Sequence, residues 1–332
     1  MSKVARFHQT GGSEVIQLDD MELTAPKADE VLININTIGL NRAEVMFRSG
    51  QYLETPELPA RLGYEASGII EQLGSNVSQF NIGDKVNVIP AFSMNQYGTY
   101  AEKAVLPVRA IVKQPANISD IEAAAIWMQY LTAWGALIDI GQLSAGQTLL
   151  IPAASSSVGL AAIQIANLVG AIPVAITRTS AKKALLEQYG AKHVIVSESD
   201  KIAEQVQLIT NGKGADMVFD PVAGPTINEL ADACGRFAQL FIYGVLDTEA
   251  TPFPLVAALS KGLTVRGYTL FEFTQDAQHL QRGIDFINTG LATGKLKPVI
   301  AKTFTLDNIV AAHQYMESNQ QIGKIVVTTN NA

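Results

Sequence analysis

The sequence predicts an α/β protein in which a mostly-β domain is joined to a doubly wound parallel sheet. Three observations predict it. The length, 332 residues, suits about two domains. Up to about residue 123 the chain offers short strand-like runs separated by turn signals. From about 124 to 268 strand-like and helical patterns alternate, and parallel neighbours need such crossovers.

In the first part Val31-Leu32-Ile33-Asn34-Ile35, Gly68-Ile69-Ile70 and Lys85-Val86-Asn87-Val88-Ile89 read as strands. Ala25-Pro26, Gly74-Ser75-Asn76 and Gly83-Asp84 punctuate them, and a short helical pattern follows Asn41. In the second part Thr148 to Pro152 is a strand, Val158 to Val169 a helix, Pro173 to Thr177 a strand and Ala181 to Tyr189 a helix. His193 to Val196, Met217 to Asp220, Leu240 to Tyr243 and Thr264 to Gly267 are further strands. The remainder, 269–332, reads as helices over Ala277–Thr289 and Leu306–Glu317 and a final strand, Gly323-Lys324-Ile325-Val326-Val327.

Composition narrows the function. Hydrophobic residues are 48% and charged residues 17%, a globular balance. Lys and Arg number 24 against 31 Asp and Glu, a net charge of −7, which disfavours a broad nucleic-acid or anionic-membrane surface. Cys234 is the only cysteine, so no intramolecular disulfide and no cysteine-rich zinc lobe can form. The N-terminus lacks the apolar stretch of a signal peptide, and the chain reads as soluble and cytoplasmic. Ile140 to Thr177 carries no charge, but Gly146, the serines at 155–157, Asn167 and Pro173 break it up. It reads as buried strand, helix and strand rather than a membrane span.

One strand-to-helix junction carries chemistry: Ile151-Pro152-Ala153-Ala154-Ser155-Ser156-Ser157-Val158-Gly159. The dinucleotide fingerprint is G-x-G-x-x-G, and its three slots here hold Ala154, Ser156 and Gly159. Small residues still admit a pyrophosphate, and serine hydroxyls and helix N-terminal N–H groups donate to it. The same turn also fits a serine-capped helix in any α/β protein, while a hydrolase elbow, G-x-S-x-G, lacks both its glycines here. An NAD site places an acid about 20 residues beyond the turn. Here Thr177-Arg178-Thr179-Ser180-Ala181-Lys182-Lys183 stands instead, offering cations and hydroxyls suited to a 2′-phosphate. A dinucleotide site on this turn is therefore expected to favour NADPH.

These residues together resemble a medium-chain dehydrogenase/reductase, in the zinc-independent quinone oxidoreductase (zeta-crystallin-like) branch. Matching stretches are Gly39-Leu40-Asn41-Arg42-Ala43-Glu44, Arg48-Ser49-Gly50-Gln51-Tyr52 and Leu58 to Gly68. Ile82-Gly83-Asp84-Lys85-Val86, the serine turn, Lys295 to Ile300 and Gly323-Lys324-Ile325-Val326-Val327 also match. The resemblance implies a GroES-like catalytic domain from residues 1–123 and 269–332, and a Rossmann NADP-binding domain from 124–268. A homodimer or homotetramer is implied, with a small-molecule quinone or enone substrate and no nucleic-acid or membrane partner.

Zinc-dependent relatives hold their metal through a cysteine, a histidine and a later cysteine or acid. The first two matching positions are Asn41 and Tyr64, and the third region reads Trp127-Met128-Gln129-Tyr130, none a good ligand. No metal is expected, and without a Lewis acid the reaction favours electron-poor acceptors over simple alcohols. By resemblance Tyr52, Asn41, Arg42 and Tyr64 are the catalytic candidates. Tyr52 hydrogen-bonds the acceptor oxygen or packs the cleft wall, and Asn41 orients the acceptor or caps the following helix. Cofactor contacts are implied for Thr132, Ser155, Ser156, Ser157, Val158, Arg178, Lys182, Gly244, Val245, Tyr268, Thr269, Leu270 and Lys324. Ser197 stands where many relatives carry an aromatic or basic residue for the 2′-phosphate, so Arg178 and Lys182 bear more of that contact. The resemblance also allows a second role, an NADPH-binding protein of structural or regulatory, crystallin-like character.

Overall fold

Two stretches of β-structure at opposite ends of the chain build one sheet in the computed structural model, which describes residues 1–329. The residues divide into two units, Met1–Met128 with the segment from Pro298 onward, and Gln129–Lys297.

The first unit contains β1 (Ser2–Phe7), β2 (Ile16–Met21), β3 (Glu30–Gly39), α1 (Arg42–Arg48) and β4 (Ala60–Arg61). There follow β5 (Glu65–Leu73), β6 (Lys85–Val88), β7 (Lys103–Pro107), β8 (Ile111–Lys113) and α2 (Asp120–Ala123). β15 (Ile300–Thr305), α11 (Ile309–Glu317) and β16 (Lys324–Thr328) return to it from the far end of the chain. The larger sheet runs β15-β16-β3-β5-β6-β8, with β7 also on β3, and β1 lies between β2 and β4 in a smaller one. β16 runs antiparallel to β3, with Val326 opposite Gly39 and Thr328 opposite Thr37. β3 is buried almost throughout, which its run of Val31, Leu32, Ile33, Ile35 and Ile38 anticipates for a strand enclosed on both sides.

The interior of this unit also grips a connector. The Thr37 hydroxyl donates to the Asp120 carbonyl at 2.6 Å, the Ser67 hydroxyl donates to the same oxygen at 3.1 Å, and Asn87 Nδ2 donates to the Ala123 carbonyl. These bonds satisfy backbone groups of α2 that burial would otherwise leave costly.

The second unit begins within α3 (Trp127–Trp134), which continues as a π-helical stretch over Gly135–Ile140. It then runs β9 (Thr148–Ile151), α4 (Ser157–Val169), β10 (Ile172–Thr177), α5 (Lys183–Gln188), β11 (His193–Val196), α6 (Ile202–Ile209) and β12 (Ala215–Asp220). α7 (Thr226–Ala233), β13 (Cys234–Ile242), α8 (Leu255–Lys261), β14 (Thr264–Gly267), α9 (Phe271–Thr274) and α10 (Ala277–Ala292) complete it. The six strands are all parallel, in the order β11-β10-β9-β12-β13-β14. Strand order reverses between β9 and β12, the switch point where open α/β sheets bind ligands beyond their strand ends. Leu150, Val174, Ile195, Val218, Leu230 and Leu240 pack the core between sheet and helices. The uncharged stretch from Ile140 to Thr177 falls on β9, α4 and β10, and among the described residues no helix is long and apolar enough to cross a membrane.

Candidate active site

The serine turn stands at the switch point of the parallel sheet. Ser156 is extended (φ −68°, ψ 161°), and its hydroxyl accepts from the Gly159 N–H at 3.0 Å, which starts α4. Gly170, left-handed at φ 80°, ends the helix. A Cβ on Gly159 would come within 2.6 Å of the Ala154 carbonyl oxygen and 2.7 Å of its Cα, so only glycine lets the helix seat this closely on the turn. Ala153 adopts φ +47°, an uncommon conformation for a residue with a Cβ.

Cations gather beside this turn. Lys182 donates to the Ser155 hydroxyl at 3.1 Å. Partial burial and then the Arg178 charge hold the Lys182 ammonium below its ordinary pKa. Arg178 is exposed at the end of β10, next to Ser197, whose N–H donates to the Thr177 carbonyl at 2.9 Å. Ser155, Arg178 and Lys182 are thus brought together, with Ser156, Ser157 and Val158 on the adjoining first turn of α4. The donor set suits a phosphate: hydroxyls, two cations and a helix N-terminus.

The other expected cofactor residues of this unit are spread over neighbouring strand ends. Gly244 and Val245 follow β13, where a Cβ on Gly244 would meet the Pro221 carbonyl at 2.7 Å. Thr269 is partly exposed, whereas Tyr268 and Leu270 are buried. The Tyr268 hydroxyl points at Gly135, where a Cβ would lie 2.2 Å from it. Thr132 is buried on α3.

In the first unit Tyr52 and Tyr64 are brought together. The Tyr64 and Tyr52 hydroxyls share a hydrogen bond, their rings 6.4 Å apart and tilted by 54°. Burial is the main cause that pushes the Tyr52 phenol up to about 12 and Tyr64 further, so both stay protonated at neutral pH.

Asn41 stands at the head of α1, with its amide fully engaged. Nδ2 donates to the Gly39 carbonyl and to Glu44 Oε1, both at 3.1 Å, and Oδ1 accepts from Lys324 Nζ at 2.5 Å. The Glu44 carboxylate accepts from the Asn41 N–H, which places Asn41 in a capping box at the start of α1. Arg42 reaches to the last helix, donating to the Met316 carbonyl at 3.2 Å and to Asn319 Oδ1. Lys324 was expected to approach the cofactor from the terminal strand. Its ammonium is buried and bonded to Asn41 and, at 2.6 Å, to Glu65 Oε2.

Sequence reasoning did not single out the buried acids. Glu65 Oε1 accepts from the N–H groups of Ile126, Trp127 and Met128 at 2.9, 2.6 and 3.3 Å, while Oε2 holds Lys324. Glu44, three residues after the cap Asn41, was legible as a capping-box acid. It accepts from the Asn41 N–H and from the Tyr64 N–H at 3.2 Å. Behind it the Tyr100 hydroxyl bonds Glu44 and lies 3.3 Å from His313 Nε2, and Arg48 donates to His313 Nδ1 at 2.9 Å. Among the described residues, no group of three or more His, Cys, Asp or Glu is placed to hold a metal ion.

A doubly wound parallel sheet with a hydroxyl-lined, cation-flanked helix start at its switch point defines a dinucleotide-binding α/β protein. A family model described as alcohol dehydrogenase GroES-like domain matches residues 27–116, and one described as zinc-binding dehydrogenase matches 157–289. A quinone oxidoreductase of Pongo abelii is 31% identical, over 98% of this chain and 98% of its own. One from Pseudomonas aeruginosa strain PAO1 is 30% identical, over 98% and 99%. The crystal structure of Escherichia coli quinone oxidoreductase complexed with NADPH superposes with a TM-score of 0.92 at 27% identity, covering 98% of this chain and 99% of that one. The chain belongs to the medium-chain dehydrogenase/reductase superfamily, in its quinone oxidoreductase branch, and so to a family of oxidoreductases.

Proposed function

We propose that the chain is an NADPH-dependent oxidoreductase that passes a hydride to a quinone or an α,β-unsaturated carbonyl without zinc. The observation that carries the reading is the Lys182–Ser155 contact beside Arg178. A 2′-phosphate is close to dianionic and needs such donors, whereas a bare ribose hydroxyl needs an acid. The Escherichia coli relative, complexed with NADPH, supports it.

On this reading Ser156, Ser157 and Val158 at the start of α4 hold the pyrophosphate, and Ser155, Arg178 and Lys182 hold the 2′-phosphate. Thr132, Gly244, Val245, Tyr268, Thr269 and Leu270 complete the cofactor's surroundings. When bound, NADPH supplies the hydride. Tyr52 donates a hydrogen bond to the acceptor oxygen on which charge builds. Tyr64, donating into Tyr52, makes it a stronger donor, because linked hydroxyls polarise one another. Asn41 and Tyr64 offer neither thiolate nor imidazole at the positions where zinc-dependent relatives bind metal, and Asn41 Oδ1 is already taken by Lys324.

A second copy of the chain is the proposed partner. β14 is an open sheet edge, and Phe253, Leu255, Val256 and Leu259, on and before α8, are exposed, Val256 by 81%. A cytoplasmic location fits a single, buried cysteine.

The test is NADPH oxidation against a panel of quinones, alkenals and enones, with a chelator present. Turnover that survives the chelator is expected. Loss of turnover on chelation would overturn the zinc-free reading. NADPH binding without turnover on any acceptor would favour a structural or regulatory role.

A further inference from the structure

We infer that Glu44 is a positioning residue for the Tyr64–Tyr52 hydroxyl pair, acting through the backbone of Tyr64. The inference rests on the reading that Tyr52 serves the acceptor. Glu44 is fully buried on α1, and its charge acts on the Tyr52 phenol. Its carboxylate gathers donors from three segments: the Asn41 N–H and Nδ2, the Tyr64 N–H and the Tyr100 hydroxyl. The Tyr64 bond fixes the main chain from which its phenol reaches Tyr52.

The charged groups around Glu44 are few and placed on separate elements. Lys324 of β16 faces it across Asn41 and is itself neutralised by Glu65 of β5. Behind Tyr100 stand His313 of α11 and Arg48 of α1, and Arg48 pairs with Glu317 at 3.0 Å. Tyr52 and Tyr64 face it too, and Glu54 adds to its charge on both phenols. Each group bonded to the carboxylate is a donor, so the arrangement needs an acceptor on both oxygens. The N–H groups of Asn41 and Tyr64 offer a proton on Glu44 no acceptor, and the Tyr100 hydroxyl can take it only by giving up its own donation to the carboxylate. Burial nonetheless pushes the Glu44 carboxyl up to about 7, with Lys324 opposing, so the change falls near neutrality.

The experiment compares wild type, Glu44→Gln and Glu44→Asp from about pH 6 to 9. It follows kcat and KM for NADPH oxidation, NADPH binding by fluorescence, and the tyrosine bands in near-ultraviolet circular dichroism. In wild type, kcat and the tyrosine signal are expected to fall together as pH drops through about 7, with KM for NADPH unchanged. Glu44→Gln is expected to lose both inflections and to run roughly tenfold slower, equivalent to one hydrogen bond's worth of barrier. Glu44→Asp is expected to restore part of the inflection. A folded Glu44→Gln that keeps the wild-type kcat, or the wild-type tyrosine inflection, overturns the inference. If wild type shows no turnover, the functional reading fails while the tyrosine signal still decides the role of Glu44.

Discussion

The Tyr64 and Tyr52 hydroxyls hydrogen-bond each other, and burial keeps both protonated at neutral pH. When Tyr52 accepts from Tyr64, its own proton is left to offer to an acceptor. Tyr52→Phe should lower kcat by about a hundredfold, the usual cost of one oxyanion donor. Tyr64→Phe should cost less, roughly tenfold, since it weakens Tyr52 rather than removing it. NADPH affinity should not change in either. Equal rates for wild type and Tyr52→Phe would remove this tyrosine from the chemistry.

Lys182 and Arg178 raise a different expectation, one of coenzyme choice. Lys182→Ala should weaken NADPH binding about 10- to 100-fold, the worth of a charge-assisted hydrogen bond. NADH binding should barely alter, because it lacks the 2′-phosphate. Isothermal titration with both coenzymes checks this, and a parallel loss for the two would place the lysine elsewhere on the nucleotide.

Stability should carry two opposing pH dependences. Glu44 titrates at about 7 in the fold against 4.5 unfolded, so the folded chain holds the extra proton between those values. Its contribution is complete below 4.5 and is lost as pH rises through 7, a change of about 3 kcal/mol. His313, buried and faced by the cations Arg48 and Arg42, is lowered from 6.5 to about 3. Its contribution is present above 6.5 and lost as pH falls towards 3. The two offset each other between 4.5 and 6.5. Urea unfolding across this window should give a shallow slope in wild type and a steeper acid loss in Glu44→Gln. Identical slopes would show that Glu44 does not titrate there.

The exposed face of α8 is tested by charge. Val256→Asp combined with Leu259→Asp should convert a dimer to a monomer in sedimentation, without loss of the folded circular dichroism spectrum. A wild type that sediments as a monomer would reject the second copy as partner.

Much of the second unit was legible because its cues are local. The serine turn, the apolar strand before it and the helix after it lie within about 20 consecutive residues, and β9, α4 and β10 fall where periodicity and turn residues put them. The phosphate-turn residues come together for the same reason. The acids of the first unit were not legible, because their burial depends on partners far along the chain. Glu65 is tolerated in the core by Lys324, 259 residues away, and by three N–H groups more than 60 residues away. The resemblance named Lys324 as a cofactor contact, and a lysine in a late strand does not show in the sequence that Glu65 pairs with it. Asn41 was legible as a cap, but Lys324 on its Oδ1 was not.

The place of β16 between β15 and β3 has a consequence for biosynthesis. The second unit is one continuous segment, and a ribosome can deliver it whole while the chain is still growing. The larger sheet of the first unit must wait for Lys324–Thr328 before β15 can join it through β16 and Glu65 meets its counter-ion. Until then the Thr37–Gly39 end of β3, beyond its pairing with β7, presents an unmatched edge, so a nascent chain arrested short of residue 324 should be a target for chaperones even though most of its strands have already been made.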